Sequence, residues 1–510
     1  MSSAFITIGI LVGVIILFFT EIIPIAATAL LVPVLLSLFG ILDADIAFSY
    51  LGNKWCIIFL ALFMIGEAVF RTGLSTVIGE FTVKKAGKNP IKLMGFIMIA
   101  VGLMSAFLSN TGSTAVFIPI VLGVAASADI NPKKLLMPMA FASSLGGTLT
   151  LVGTPPNGVI ASVIDESNKQ LLLADGMQEE ALVQFGFFEY GKVGIILFIV
   201  GLVYMVIFGH KLLPGKSLAN DLATTNILPF SDNLNILDVS SKKTRKLKSW
   251  ILVVVFIFVI VTLDNGITEF QRVAMLGVSF FIAIVCITSK EAFAITDNFA
   301  LINNSKTSAN QNKELRKDKM WIAVIVFISV IVTMATGVIE LQTAGVLGAV
   351  LCIATGCITM EEAFDSVSWT AIFVFAGLLP LSKAMGETGA TEMIAELTVG
   401  MVSSPIGVLV VIYLLTAVLT NFMSNMVATA MIAPIGLAIA QSLNFSPYPI
   451  LMGTCMAASA CFMTPIATPP NTIILGPGGY RFMDYFKAGW PLQVISFIVC
   501  MTVIPILFPF

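Results

Sequence analysis

The sequence predicts an all-α, polytopic membrane protein assembled from two related halves. Three observations carry this. First, 58% of the 510 residues are hydrophobic and 11% are charged, whereas a soluble protein carries about 25% charged residues. Second, the apolar residues fall in runs long enough to cross a hydrocarbon core of roughly 30 Å as helices. Third, distinctive polar motifs occur once in each half, at a nearly constant separation of 314 or 315 positions.

The mean hydropathy of +1.00 agrees with the composition. A net charge of -2 and the absence of a basic patch give no reason to expect a nucleic-acid partner. Seven cysteines, at 56, 286, 352, 357, 455, 461 and 500, lie in or beside apolar runs, and none forms a C-x-x-C pair. They read as small buried hydrophobes, not as disulfides or zinc ligands. The N-terminal MSSAFITIGILVGVIILFFT lacks a basic flank and a clear cleavage site, which fits a retained first span better than a signal peptide.

Simple spans are expected near 4–20, 22–40, 55–80, 186–209, 249–263, 269–288, 320–337, 341–357, 367–385 and 486–508. Two apolar regions, 93–127 and 405–441, carry a polar interruption at their middle. Two others, 135–164 and 448–476, contain a Pro-Pro pair. If the first two are re-entrant hairpins and the Pro-Pro segments cross as broken helices, the chain has about 12 spans. That topology puts 21 of the 27 basic residues on one side, among them Lys84, Lys85, Lys88, Lys92, Lys133, Lys134 and the cluster at 242–248. By the positive-inside rule this side is cytoplasmic, with loops 84–92, 210–248 and 289–319. The acidic 165–185 loop and Glu387, Glu392 and Glu396 fall opposite, as do both termini.

The repeat is specific. LMSAFLSNTGSTAVFIPI and LTLVGTPPNGVI in the first half match LTAVLTNFMSNMVATAMIAPI and FMTPIATPPNTII in the second. Ser109 pairs with Ser424, Asn110 with Asn425, Pro119 with Pro434, Thr154 with Thr468 and Asn157 with Asn471; Trp55 pairs with Trp369, and FFEYGKVG echoes FMDYFKAG. An odd number of expected crossings separates Asn110 from Asn425, so the second half runs upside down relative to the first. Inverted repeats with discontinuous helices are the architecture of secondary transporters.

The interruptions carry the chemistry. Backbone that leaves the helix at membrane depth persists only where protein, water or ligand satisfies it. In Gly153-Thr154-Pro155-Pro156-Asn157 the prolines remove donors and stop the helix. Carbonyls near Gly153 are then free for a cation, and the next half-helix offers amides and a positive dipole end to an anion. Ala467-Thr468-Pro469-Pro470-Asn471 repeats the device. The tips Ser109-Asn110-Thr111 and Ser424-Asn425-Met426 suit N-caps, but they also supply oxygens to a sodium ion and donors to a carboxylate. Ser105 and Thr420 place a hydroxyl one turn earlier on the same face. None of these four segments holds a charged residue, so neutral dipoles and hydroxyls must hold a small anion.

With LSNT, GTPPN and the second TPPN in this order, nearly the whole chain resembles the divalent anion/sodium symporter family of the ion transporter superfamily. The resemblance implies an elevator-type homodimer in the cell (plasma) membrane, with scaffold and transport domains. The scaffold comprises 1–92 and, with loop 289–319, 249–404. The transport domain comprises 93–209 and 405–510, and 210–248 links them across the cytoplasm. It implies transport of succinate, malate, fumarate, citrate or α-ketoglutarate by sodium symport or exchange, and no enzymatic activity.

Carried over by motif, one sodium site uses Ser105, Ser109, Asn110 and the Gly153 carbonyl. The other uses Thr420, the Met423 carbonyl, Asn425 and the Ala467 carbonyl. Substrate carboxylates meet Asn110 and Thr111 from one tip, and Ser424 and Asn425 from the other; Thr154, Pro155, Thr468 and Pro469 line the rest. Met426 replaces the usual threonine and makes one end more apolar. Alternatives on the same scaffold are a sodium/proton antiporter using Glu67, and a permease for arsenite or sulfate. Glu67 and Arg71, and likewise Lys383 and Glu387, stand at i, i+4 spacing, which favours mutual ion pairs. His210 is the only histidine and sits at a span end, so a histidine relay is not expected.

Overall fold

The computed structural model describes residues 3–20, 22–74, 77–79, 81, 89–128, 130–174, 181–214, 315–391, 393–394 and 404–510. Among them the chain is helical and contains no β-strand. The expected spans 249–263 and 269–288, the basic cluster at 242–248 and most of loop 289–319 lie outside the described residues.

The first half opens with α1 (Ser3–Thr20), α2 (Ile25–Leu38), the short α3 (Ala44–Ser49) and α4 (Lys54–Arg71). Asn53 starts α4 by accepting the Trp55 amide, one of the donors a helix leaves free at its N-terminus. The expected span 55–80 stops sooner, because α4 ends at Arg71 and Gly73 follows with φ +85°, a left-handed conformation suited to glycine. Next come α5 (Pro90–Ser105) and α6 (Asn110–Ser127), joined by the four residues 106–109. Then α7 (Lys133–Gly146) ends in a short 3-10 turn, Gly147–Leu149, and α8 (Pro155–Ala174) begins after the Pro-Pro break. The last element of this half is α9 (Glu189–Tyr204), which continues through a π turn.

The second half holds α10 (Met320–Thr336), α11 (Leu341–Ala354), α12 (Met360–Ser366) and α13 (Trp369–Glu387). It goes on with α14 (Pro405–Thr420), α15 (Asn425–Ser442), α16 (Tyr448–Ser459), α17 (Pro469–Gly478) and α18 (Phe482–Leu507). Among the described residues, seven helices are long and apolar enough to cross a membrane, and five further apolar helices are shorter.

Two packing groups emerge. In one, α13 packs on α2 and α11 packs on α4. In the other, α5 packs on α7, α14 on α16, and α15 on both α8 and α16. The α5–α7 contact is backbone to backbone: a Cβ on Gly146 would lie 2.2 Å from the Gly102 carbonyl oxygen. That approach presses the tip at 106–109 against the break that follows α7. Phe141 and Phe462 meet between the halves with ring centroids 5.2 Å apart.

Candidate functional site

The first tip and the first break are tied together by side chains. Ser105 Oγ donates to Asn110 Oδ1 and lies 3.1 Å from Ser143 Oγ. Ser143 Oγ donates to the Asn110 carbonyl at 2.9 Å. A Cβ on Gly147 would sit 2.6 Å from Asn110 Oδ1 and 3.1 Å from the Gly153 carbonyl oxygen. Glycine at 147 thus lets these two oxygens face one point. Three of the expected cation ligands, Ser105, Asn110 and Gly153, therefore converge on neutral oxygen chemistry of the kind that hard cations take. Ser109 Oγ caps α6 by accepting the Gly112 amide at 3.1 Å. Thr111 is half-buried in the first turn of α6.

The break itself is closed by residues whose role the sequence did not reveal. Thr150 Oγ1 donates to the Ala106 carbonyl, tying break to tip. Asn157 Nδ2 donates to the carbonyls of Gly147 at 3.2 Å and Thr150 at 2.6 Å. Tyr190 OH then donates to the Asn157 carbonyl at 2.9 Å.

The same bonds recur in the second half, with the threonine and asparagine 314 positions on and the tyrosine 295 positions on. Thr464 Oγ1 donates to the Asn421 carbonyl at 2.6 Å. Asn471 Nδ2 donates to the carbonyls of Cys461 and Thr464, each at 3.0 Å. Tyr485 OH, from the echoed FMDYFKAG, donates to the Asn471 carbonyl at 2.7 Å. Freed carbonyls are satisfied inside the protein, as membrane depth requires. The signal was present: Asn157 and Asn471 keep the repeat spacing, and the two tyrosines share an echoed motif.

The halves differ at their tips. Thr420 Oγ1 donates to the Ala458 carbonyl at 2.8 Å, not to the tip asparagine. Asn425 Oδ1 turns back to accept the Met426 amide at 2.9 Å. Ser424 makes no capping bond, and Met426 is buried. Met423 and Ala467 are buried in the second tip and break.

Thr154 and Thr468 immediately precede Pro155 and Pro469, the first residues of α8 and α17. Both side chains are buried, and neither hydroxyl makes a hydrogen bond of normal geometry, although Thr468 has the weak Cys461 thiol beside it. Such hydroxyls are costly to bury without a partner.

Outside the tips, the two i, i+4 pairs are formed. Arg71 Nε lies 2.7 Å from Glu67 Oε1 and 3.8 Å from Glu362 Oε1. Lys383 Nζ lies 2.8 Å from Glu387 Oε1. Among the described residues no cluster of three or more His, Cys, Asp or Glu could hold a metal ion, and the six described cysteines are free and buried.

A family model described as citrate transporter matches residues 15–436 and 425–510. The chain belongs to this family. It is thus a multi-pass membrane transporter of the divalent anion/sodium symporter type, not an enzyme. It is 28% identical to the uncharacterized transporter YfbS of Escherichia coli, with 97% of this chain and 98% of that one covered. It is 25% identical to the sodium-dependent dicarboxylate transporter SdcS of Staphylococcus saprophyticus, over 96% of this chain and 83% of that one. Among solved structures, the fold resembles that of the YdaH transporter of Alcanivorax borkumensis, with a TM-score of 0.51, 14% identity and coverage of 92% and 87%.

Proposed function

We propose that this citrate-family transporter carries small di- or tricarboxylates by sodium symport or by exchange, through an elevator movement. The observation that carries the reading is the matched pair of buried, unpartnered hydroxyls, Thr154 and Thr468, each at the start of a half-helix. A carboxylate seated there receives a hydroxyl donor and faces the positive dipole end of a half-helix, whose first two residues are prolines without an N–H. With two such places, one small polycarboxylate spans both breaks. The SdcS relative supports a dicarboxylate and sodium as the coupling ion.

Sodium would bind at neutral oxygens: Ser105, Ser109, Asn110 and the Gly153 carbonyl on one side, and Thr420, Asn425 and the carbonyls of Met423 and Ala467 on the other. Asn110 and Thr111, with Ser424 and Asn425, would complete the carboxylate contacts. An ion bound at each tip offsets the substrate charge without a fixed lysine or arginine to trap it. In the proposed movement, residues 93–209 and 405–510 travel as one body against 1–92 and 249–404, the two halves being inverted, within a chain of about 12 spans. Two copies would form the homodimer.

The test is transport by purified protein in proteoliposomes. Labelled succinate and citrate are offered with a sodium gradient, with a proton gradient, and with internal counter-substrate. Sodium- or counter-substrate-dependent uptake supports the reading. Uptake of sulfate alone, or of nothing, overturns it.

A further inference from the structure

Two neighbouring carboxylates of α8 grip the other packing group. Asp165 Oδ2 lies 2.7 Å from Lys54 Nζ and accepts from Trp55 Nε1 at 2.8 Å, both at the start of α4. Glu166 stands beside Tyr50 and lies 3.9 Å from Lys383 Nζ of α13. Consecutive helical residues point about 100° apart, so one turn of α8 reaches both α4 and α13. We propose that Asp165 and Glu166 form a latch that holds the proposed moving body against the α2–α4–α11–α13 group and opens in every transport cycle.

The chemistry of the cluster suits a joint that opens. Breaking a buried ion pair is costly when it strands a charge. Here three of the four charged groups keep a second partner, and the fourth reaches water. Lys383 retains Glu387 at 2.8 Å, and Glu166 retains Lys169 at 3.7 Å. Asp165 retains Gln184 Nε2 at 2.7 Å, and Lys54 is 44% exposed, able to turn to water. Separation therefore exchanges partners without abandoning charges.

The latch also belongs to one half alone. Trp369 is the repeat mate of Trp55, yet it is 41% exposed where Trp55 is 3%. The position matching Asp165 is Gly479. The second half cannot build the same contact, so the device biases the molecule towards one of its two positions.

The latch rests on the elevator reading, and its test separates the two. Lys54→Cys and Asp165→Cys are combined in the full-length protein and bridged with a short bifunctional methanethiosulfonate reagent that dithiothreitol cleaves. Bridging should cut carboxylate transport by about tenfold or more, with recovery on cleavage; neither single variant should respond. Undiminished transport by the bridged protein overturns the latch. Wild-type protein that carries no carboxylate overturns the functional reading instead.

The latch is then judged by tryptophan emission in protein retaining only Trp55, the other four tryptophans being changed to Phe. Asp165→Asn should raise acrylamide quenching of Trp55 severalfold, and Lys54→Gln should do the same. Quenching unchanged in both variants overturns the latch.

Discussion

Tyr485 donates its hydroxyl to the carbonyl of Asn471 at 2.7 Å. The bond fixes the start of α17 from outside the break, because Tyr485 belongs to the next helix. Asn471 in turn reaches back to two carbonyls of the break. One tyrosine therefore anchors the whole discontinuity, and Tyr190 does the same for α8.

Tyr485→Phe removes one buried hydrogen bond to a carbonyl near the start of α17, which costs about 0.5–1.5 kcal/mol. Tyr190→Phe should cost a similar amount. Thermal unfolding in detergent reads both losses. An unchanged midpoint in both variants would show that the break stands without its tyrosines.

The unpartnered threonines predict opposite signs for stability and binding. Thr154→Val and Thr468→Val delete buried hydroxyls that make no normal hydrogen bond. Folding should be unaffected or gain about 1 kcal/mol. The KM for the carboxylate should nevertheless rise by about tenfold, the worth of one good hydrogen bond. Uptake kinetics and a melting curve on the same preparation decide the matter.

Gly147→Ala would put a methyl group 2.6 Å from Asn110 Oδ1. The obstructing atom is the far end of a side chain, so the tip survives by turning Asn110 away. Fold and expression should persist while the sodium dependence of uptake weakens by about tenfold or more, since one oxygen ligand is withdrawn. Full sodium dependence in this variant would remove Asn110 from the ion site.

Glu362 in α12 supplies a pH prediction. Burial alone would push its carboxyl up, but the Arg316 hydrogen bond, the Thr359 amide and the charges of Arg316 and Arg71 hold it at about 2. A lowered carboxyl stabilises the folded state fully above its ordinary value near 4.5. The contribution fades as pH falls from there towards 2. Glu362→Gln should therefore destabilise by about 3 kcal/mol at pH 7. The gap between variant and wild type should stay level down to about pH 5 and narrow below it.

The polar tips and Pro-Pro breaks were legible because they violate a rule: polar and helix-breaking residues do not belong at membrane depth without a reason. Their constant spacing made the reason common to both halves. What stayed hidden were partners far apart in sequence. Nothing near Thr150 announces that it ties to Ala106, nor does anything near Asp165 point to Trp55. Those bonds follow from how α5 packs on α7, and α8 against α4, which periodicity does not encode. The end of the expected span 55–80 was misjudged for a related reason: hydropathy runs on past Arg71, but the backbone turns at Gly73.

Helix α11 has 14 residues and exposes Val346, Leu347, Val350 and Leu351. At 1.5 Å per residue it is about 21 Å long, short of a hydrocarbon core of roughly 30 Å. Lipid beside it must thin, or flanking residues must stretch towards the headgroups, at a cost that grows with acyl-chain length. Because α11 packs on α4, the proposed cycle would make bilayer thickness bear on the same wall that Asp165 and Glu166 touch, and the lipid itself would become a variable of the transport rate.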